Sequence, residues 1–214
     1  MKYFLSSPFI GDYSFLSALS GDKVKEVKSI DKADIVVFTG GADVSPYLYK
    51  HAKAVSTYPS PVRDQREINI YNLARKLNLP IFGICRGLQF INVMSGGTLI
   101  QHADNHVSGR HAVLDLLSNE NFKVNSLHHQ IIVPPKMGCL ILANVNPGLS
   151  YRYIYGKTPV YLDAGASGLQ EIEAAYYPEI NALGVQWHPE LAFPNSDSVL
   201  LAETYINKYL GKRT

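Results

Sequence analysis

The stretch from Ile81 to Gly97 constrains this chain more than any other. Ile81-Phe82-Gly83-Ile84 follows Pro80 and reads as a short buried strand, and a helical pattern through Leu88, Ile91, Asn92 and Met94 then runs until Gly96-Gly97 stops it. Gly83-Ile84-Cys85-Arg86-Gly87 therefore sits at a strand-to-helix junction, with the logic of the nucleophile elbow of G-x-S-x-G hydrolases. Glycines allow the sharp turn, which lifts the cysteine over the carboxyl end of a sheet, where open α/β sheets bind ligands. At a helix N-terminus the dipole and free N–H groups favour the thiolate, the nucleophilic form. The N–H of Arg86, next after the nucleophile, is placed to hold a tetrahedral oxyanion.

Elsewhere, short apolar runs alternate with helix-period segments and predict a layered α/β domain. Ile35-Val36-Val37-Phe38 reads as a buried parallel strand entering Thr39-Gly40-Gly41, a turn where glycine lets backbone approach a ligand and could supply a second oxyanion donor. A helix is expected from Arg63 to Asn78, with Ile68, Tyr71, Leu73, Ala74 and Leu77 on its apolar face. Phe122 to Val124, Leu140 to Val145, Glu171 to Tyr176 and Ala182 to Trp187 read as strands, and Val199 to Leu210 as a closing amphipathic helix. Residues 146–169 carry no legible pattern. With 214 residues, 46% hydrophobic and 18% charged, and with no repeat or linker, one domain over residues 1–214 is expected.

Charge and composition exclude several classes of function. A net charge of +2, spread along the chain, is no footprint for nucleic acid. No stretch approaches the ~20 apolar residues of a membrane span, and the apolar run after Met1 is too short for a secretory signal, so a soluble, cytoplasmic protein with no membrane partner is expected. Two cysteines make no disulfide framework. Cys139, within Gly138-Cys139-Leu140-Ile141-Leu142, reads as a small buried hydrophobe.

A cysteine nucleophile needs a base, and the base needs a partner to fix its tautomer. Gly184-Val185-Gln186-Trp187-His188-Pro189-Glu190 supplies both: a histidine just past a buried strand and a carboxylate two residues on, projecting to the same side in an extended segment. A third polar turn, Asn125-Ser126-Leu127-His128-His129-Gln130, follows a strand. Its paired histidines, with His102, His106 and His111 nearby, raise a zinc site. No cysteine or HExxH pattern completes one, so these histidines read as substrate-side or surface groups, with no metal ligand assigned and no cofactor required.

At these motifs the sequence resembles the class I glutamine amidotransferase superfamily, the Cys-His-Glu group, and within it the γ-glutamyl-amine hydrolases. The nucleophile segment Gly83 to Gln89 is similar, as are Gly40 to Tyr49, Arg63-Asp64 with Glu67, Ser126 to Gln130 and Gly184 to Glu190, all in family order. The resemblance implies a flavodoxin-like layered α/β fold with a mostly parallel central sheet. It also implies nucleophile Cys85, base His188 and orienting Glu190, with Gly41 and Arg86 as oxyanion donors and Gln89, Ser126, Leu127 and His128 as substrate contacts. The chain departs from that branch in its short region before Ile35 and in Lys50-His51, where a Gly-Glu pair is usual. The reaction implied is cleavage of a small-molecule γ-glutamyl amide through a thioester. Either a free-standing hydrolase releases an amine, or a glutaminase subunit passes ammonia to a separate synthetase partner.

Overall fold

The computed structural model describes residues 1–107 and 109–211. In chain order its strands are β1 (Lys2–Leu5), β2 (Lys25–Glu26), β3 (Ile35–Phe38), β4 (Ile81–Ile84), β5 (Thr98–Ile100), β6 (His102–Ala103) and β7 (Arg110–Asp115). Then come β8 (Glu120–Asn125), β9 (Ile131–Val133), β10 (Leu140–Val145), β11 (Arg152–Tyr155), β12 (Val160–Asp163), β13 (Glu171–Tyr177) and β14 (Ala182–Val185). The α-helices are α1 (Pro61–Lys76), α2 (Arg86–Met94) and α3 (Asp197–Tyr205), the last continued by a π turn over Ile206–Leu210.

Nine strands form one sheet in the order β2-β1-β3-β4-β14-β13-β10-β7-β8. From β2 to β14 neighbours are parallel. From β14 to β8 they are antiparallel. Every residue of β3, β4 and β14 is buried, the signature of parallel strands covered on both faces. Alternation divides the core accordingly. Ile35, Val37, Phe82 and Ile84 pack with Phe15, Leu16, Leu201 and Tyr205 on one face. Val36, Phe38 and Ile81 pack with Tyr71, Ala74, Leu88 and Ile91 on the other.

The expected layered α/β architecture holds, with local differences. α1 starts two residues before Arg63, at Pro61, whose fixed φ suits a first helical position. Its inner face is more polar than expected: Asp64 and Glu67 are buried beside Tyr71 and Ala74, while Leu73 and Leu77 are exposed. The stretch 146–169 holds β11 and β12, which form a three-stranded sheet with β6. Among the described residues no helix is long and apolar enough to cross a membrane.

Candidate active site

Cys85 stands where β4 ends and α2 begins, with φ 51° and ψ −107°. A non-glycine residue at positive φ costs on the order of 1–3 kcal/mol and persists only where the surroundings impose it. Those surroundings are two glycines with no space for a side chain. A Cβ on Gly83 would lie 2.7 Å from the Leu88 nitrogen, and one on Gly87 would lie 2.0 Å from the Phe38 carbonyl oxygen. The elbow thus packs α2 directly on β3 and β4, and helix geometry leaves the Arg86 N–H without an intrahelical acceptor. The Cys85 side chain is only 6% exposed.

β14 delivers the second element, pairing with β4 so that Val185 lies beside Ile84. His188 follows and is held from two sides. Its backbone N–H donates to Asn125 Oδ1 and its carbonyl accepts from Asn125 Nδ2, both at 2.8 Å. Its ring Nδ1 stands 2.6 Å from Glu190 Oε1, which leaves Nε2 for Cys85. Burial opposes a charged imidazole here, but hydrogen bonding to the Cys85 sulfur and the Glu190 carboxylate outweighs it and raises the His188 pKa to about 10. Phe9 stacks on this ring with centroids 6.0 Å apart, and a Cβ on Gly11 would strike Glu190 Cγ at 2.6 Å. The N-terminal loop therefore roofs the pair. Phe9-Ile10-Gly11 carries no pattern that marks this loop in the sequence.

The third element is the turn after β3. A Cβ on Gly40 would meet His188 Cε1 at 2.6 Å, so only glycine fits against the ring. Gly41 has φ +133°. Arg63 donates to the Gly40 carbonyl at 2.9 Å and to the Thr39 carbonyl at 2.8 Å. Because a trans peptide points its C=O and N–H in opposite directions, a carbonyl held by Arg63 aims the Gly41 N–H away from that helix. Arg63 is itself fixed by Glu67, at 3.0 Å. The Arg86 guanidinium bonds Asp64 at 2.5 Å and also Glu67, so two arginines and two carboxylates close a buried network behind the elbow. The Arg86 side chain is thus committed to this buried network. The arginine–acid spacing at the start of α1 was visible in the sequence, but its role as a brace needed the fold.

The expected substrate contacts are distributed differently. Gln89 is buried, with Nε2 donating to the Gln130 carbonyl at 3.1 Å. The Ser126 hydroxyl donates to the His106 carbonyl at 2.6 Å, and the His128 ring is buried against Glu173. Leu127 between them is exposed. Side chains of Gln89, Ser126 and His128 are therefore engaged within the protein. Cys139 is half-buried, and desolvation pushes its thiol up to about 11 against a hydrogen bond from Tyr177, the opposite of what a nucleophile needs.

Comparison with known proteins shows the family. The Peptidase C26 family model matches residues 11–150, and the chain belongs to that family, within the class I glutamine amidotransferase superfamily. It is 35% identical over 193 residues to the glutamine amidotransferase-like protein YvdE of Lactococcus lactis, covering 79% of this chain and 71% of that one. It is 28% identical over 139 residues to the carbamoyl phosphate synthase small chain of Buchnera aphidicola, covering 65% of this chain and 30% of that one. In fold it is similar to the PurLQS structure from Thermotoga maritima, with TM-score 0.57 and 15% identity, covering 98% of both chains. The membership supports an amide-bond hydrolase.

Proposed function

We propose that the chain hydrolyses a γ-glutamyl amide through a γ-glutamyl thioester on Cys85. The observation that carries this reading is the 2.6 Å contact of His188 with Glu190, with the other side of the ring turned to a cysteine on a strained elbow. The Cys85 sulfur attacks the γ-carbonyl carbon as its proton passes to His188 Nε2, and the carbonyl electrons move onto oxygen. N–H groups of Gly41 and Arg86 receive that oxyanion. As the tetrahedral intermediate collapses, His188 gives its proton to the leaving amine and the C–N bond breaks. His188 then takes a proton from water, whose oxygen attacks the thioester, and glutamate leaves as the Cys85–carbonyl bond breaks. Glu190 holds the imidazole in one tautomer throughout.

The released nitrogen defines two readings. The elbow's Cys-Arg-Gly and the Gly41 to Tyr49 segment favour a free-standing hydrolase whose leaving group is an amine larger than ammonia. Likeness to a carbamoyl phosphate synthase small chain favours a glutaminase subunit that passes ammonia to a synthetase partner. A panel of γ-glutamyl-amines and glutamine, with mass detection of the released amine, separates them. Turnover of γ-glutamyl-amines with no partner present supports the first, and glutamine turnover that rises only with a synthetase supports the second. If no γ-glutamyl amide is cleaved and a glutamine-like chloroketone fails to label Cys85, the reading falls.

A further inference from the structure

Three histidines and a glutamate converge in the interior beside the antiparallel half of the nine-stranded sheet. His106 follows β6, His111 lies on β7, His128 follows β8 and Glu173 lies on β13, and all four are buried. Glu173 Oε1 stands 3.5 Å from His106 Nδ1, 3.3 Å from His111 Nε2 and 3.3 Å from His128 Nε2. One ligand atom from each residue falls within 4.8 Å of all the others. None of these three nitrogens makes a hydrogen bond, and neither does either Glu173 oxygen. Buried polar atoms without partners are rare and call for a physical account.

The outward nitrogens supply that account. His106 Nε2 donates to Glu171 Oε2 at 3.1 Å, and that carboxylate also receives the Leu149 and Ser150 N–H groups and the Tyr153 hydroxyl. His128 Nδ1 donates to the Gln130 carbonyl at 3.2 Å. With protons fixed on the outside, the inward nitrogens of His106 and His128 present lone pairs to a carboxylate at 3.3–3.5 Å, which is repulsive unless a cation sits between them. A histidine donating its second N–H to a carboxylate or backbone carbonyl is the usual outer arrangement of a metal ligand.

The geometry points to a buried, four-coordinate site for a divalent transition-metal ion, with Zn²⁺ as the first candidate, formed by His106 Nδ1, His111 Nε2, His128 Nε2 and Glu173 Oε1. An ion with ligands at about 2.0–2.1 Å in a tetrahedron has ligand edges of about 3.3 Å. The three edges to Glu173 match that length. Three imidazoles and one carboxylate select such an ion over Mg²⁺ or Ca²⁺, which prefer all-oxygen shells. Four protein ligands leave no open position, so the ion is structural. It braces the turn after β8, where the His106 carbonyl accepts from both Ser126 Oγ and the His128 N–H, next to the Asn125 clasp on His188.

The test is independent of the hydrolase reading because it reads metal rather than turnover. Purified full-length protein is stripped with a chelator, given Zn²⁺ and gel-filtered, and its metal content is measured beside Cys85→Ser and His111→Ala. One zinc per chain in wild type and in Cys85→Ser, lost in His111→Ala, is expected. Zn²⁺ but not Mg²⁺ should raise the melting temperature of the stripped wild type by on the order of 5 °C. Should His111→Ala misfold, Co²⁺ loaded into the wild type still decides, since a tetrahedral nitrogen-rich site gives intense visible bands. Zinc that disappears in Cys85→Ser would place it at the thiol and overturn the proposal. Wild type that takes up no zinc would overturn it too, leaving the cluster to be held by protons.

Discussion

His188 and His128 are both buried histidines beside a glutamate, each just past the C-terminal end of a strand of the same sheet, yet their surroundings pull them in opposite directions. His188 is raised to about 10 because the Cys85 sulfur and Glu190 both favour its charged form. His128 is lowered, because burial outweighs the pull of Glu173 and two further imidazoles add repulsion. The first environment stores a proton ready for transfer. The second keeps a nitrogen lone pair free, the form that binds a metal ion. A histidine–carboxylate contact therefore has no fixed meaning, and its remaining neighbours decide between acid–base chemistry and ligation.

That contrast can be broken in graded steps. Cys85→Ala should abolish turnover, by on the order of 10⁶-fold, while leaving zinc uptake intact. Steady-state rates and metal analysis on one preparation check both halves. Glu190→Gln should cost roughly 10⁴-fold, because the neutral amide can stabilise the wrong tautomer. The same variant should drop the His188 pKa from about 10 toward the ordinary value of ~6.5, read by NMR of the ring protons. The linked stability follows in sign. A folded-state pKa raised above the unfolded one stabilises fully below pH ~6.5, and that contribution fades as pH rises toward 10. Wild type should lose more stability than Glu190→Gln across that window, measured by denaturant titration at each pH. Gly40→Ala should cost about 10²-fold, since its methyl would displace the His188 ring, with the fold retained by circular dichroism. Arg63→Lys should cost about tenfold, because a point charge cannot hold the Thr39 and Gly40 carbonyls together; its effect should fall on kcat and not on Cys139 or zinc.

The same contrast explains what could be read from the sequence. The elbow from Gly83 to Gly87 and the His188-Pro189-Glu190 run are contiguous, so their chemistry is visible in a few residues. His106, His111, His128 and Glu173 are scattered over four elements with no ligand spacing, and the carboxylate lies 45 residues beyond His128. β7 is hidden in the sequence for a related reason. Its inward positions are His111, Val113 and Asp115, so polar residues conceal the alternation that marks a half-buried strand. β12 is hard to read because its adjacent residues Val160 and Tyr161, on opposite faces of the strand, are both exposed apolar side chains, which breaks the alternation of apolar and polar positions. β3, β4 and β14, buried throughout, were read directly.

The left-handed backbone at Cys85 sets stability against chemistry at a single position. Glycine would adopt that conformation freely, so relief of about 1 kcal/mol or more is available through a substitution that removes the only sulfur at the elbow. Selection for persistence of the fold alone would favour glycine there, so under the proposed reaction cysteine at residue 85 is the position where chemistry is set directly against stability.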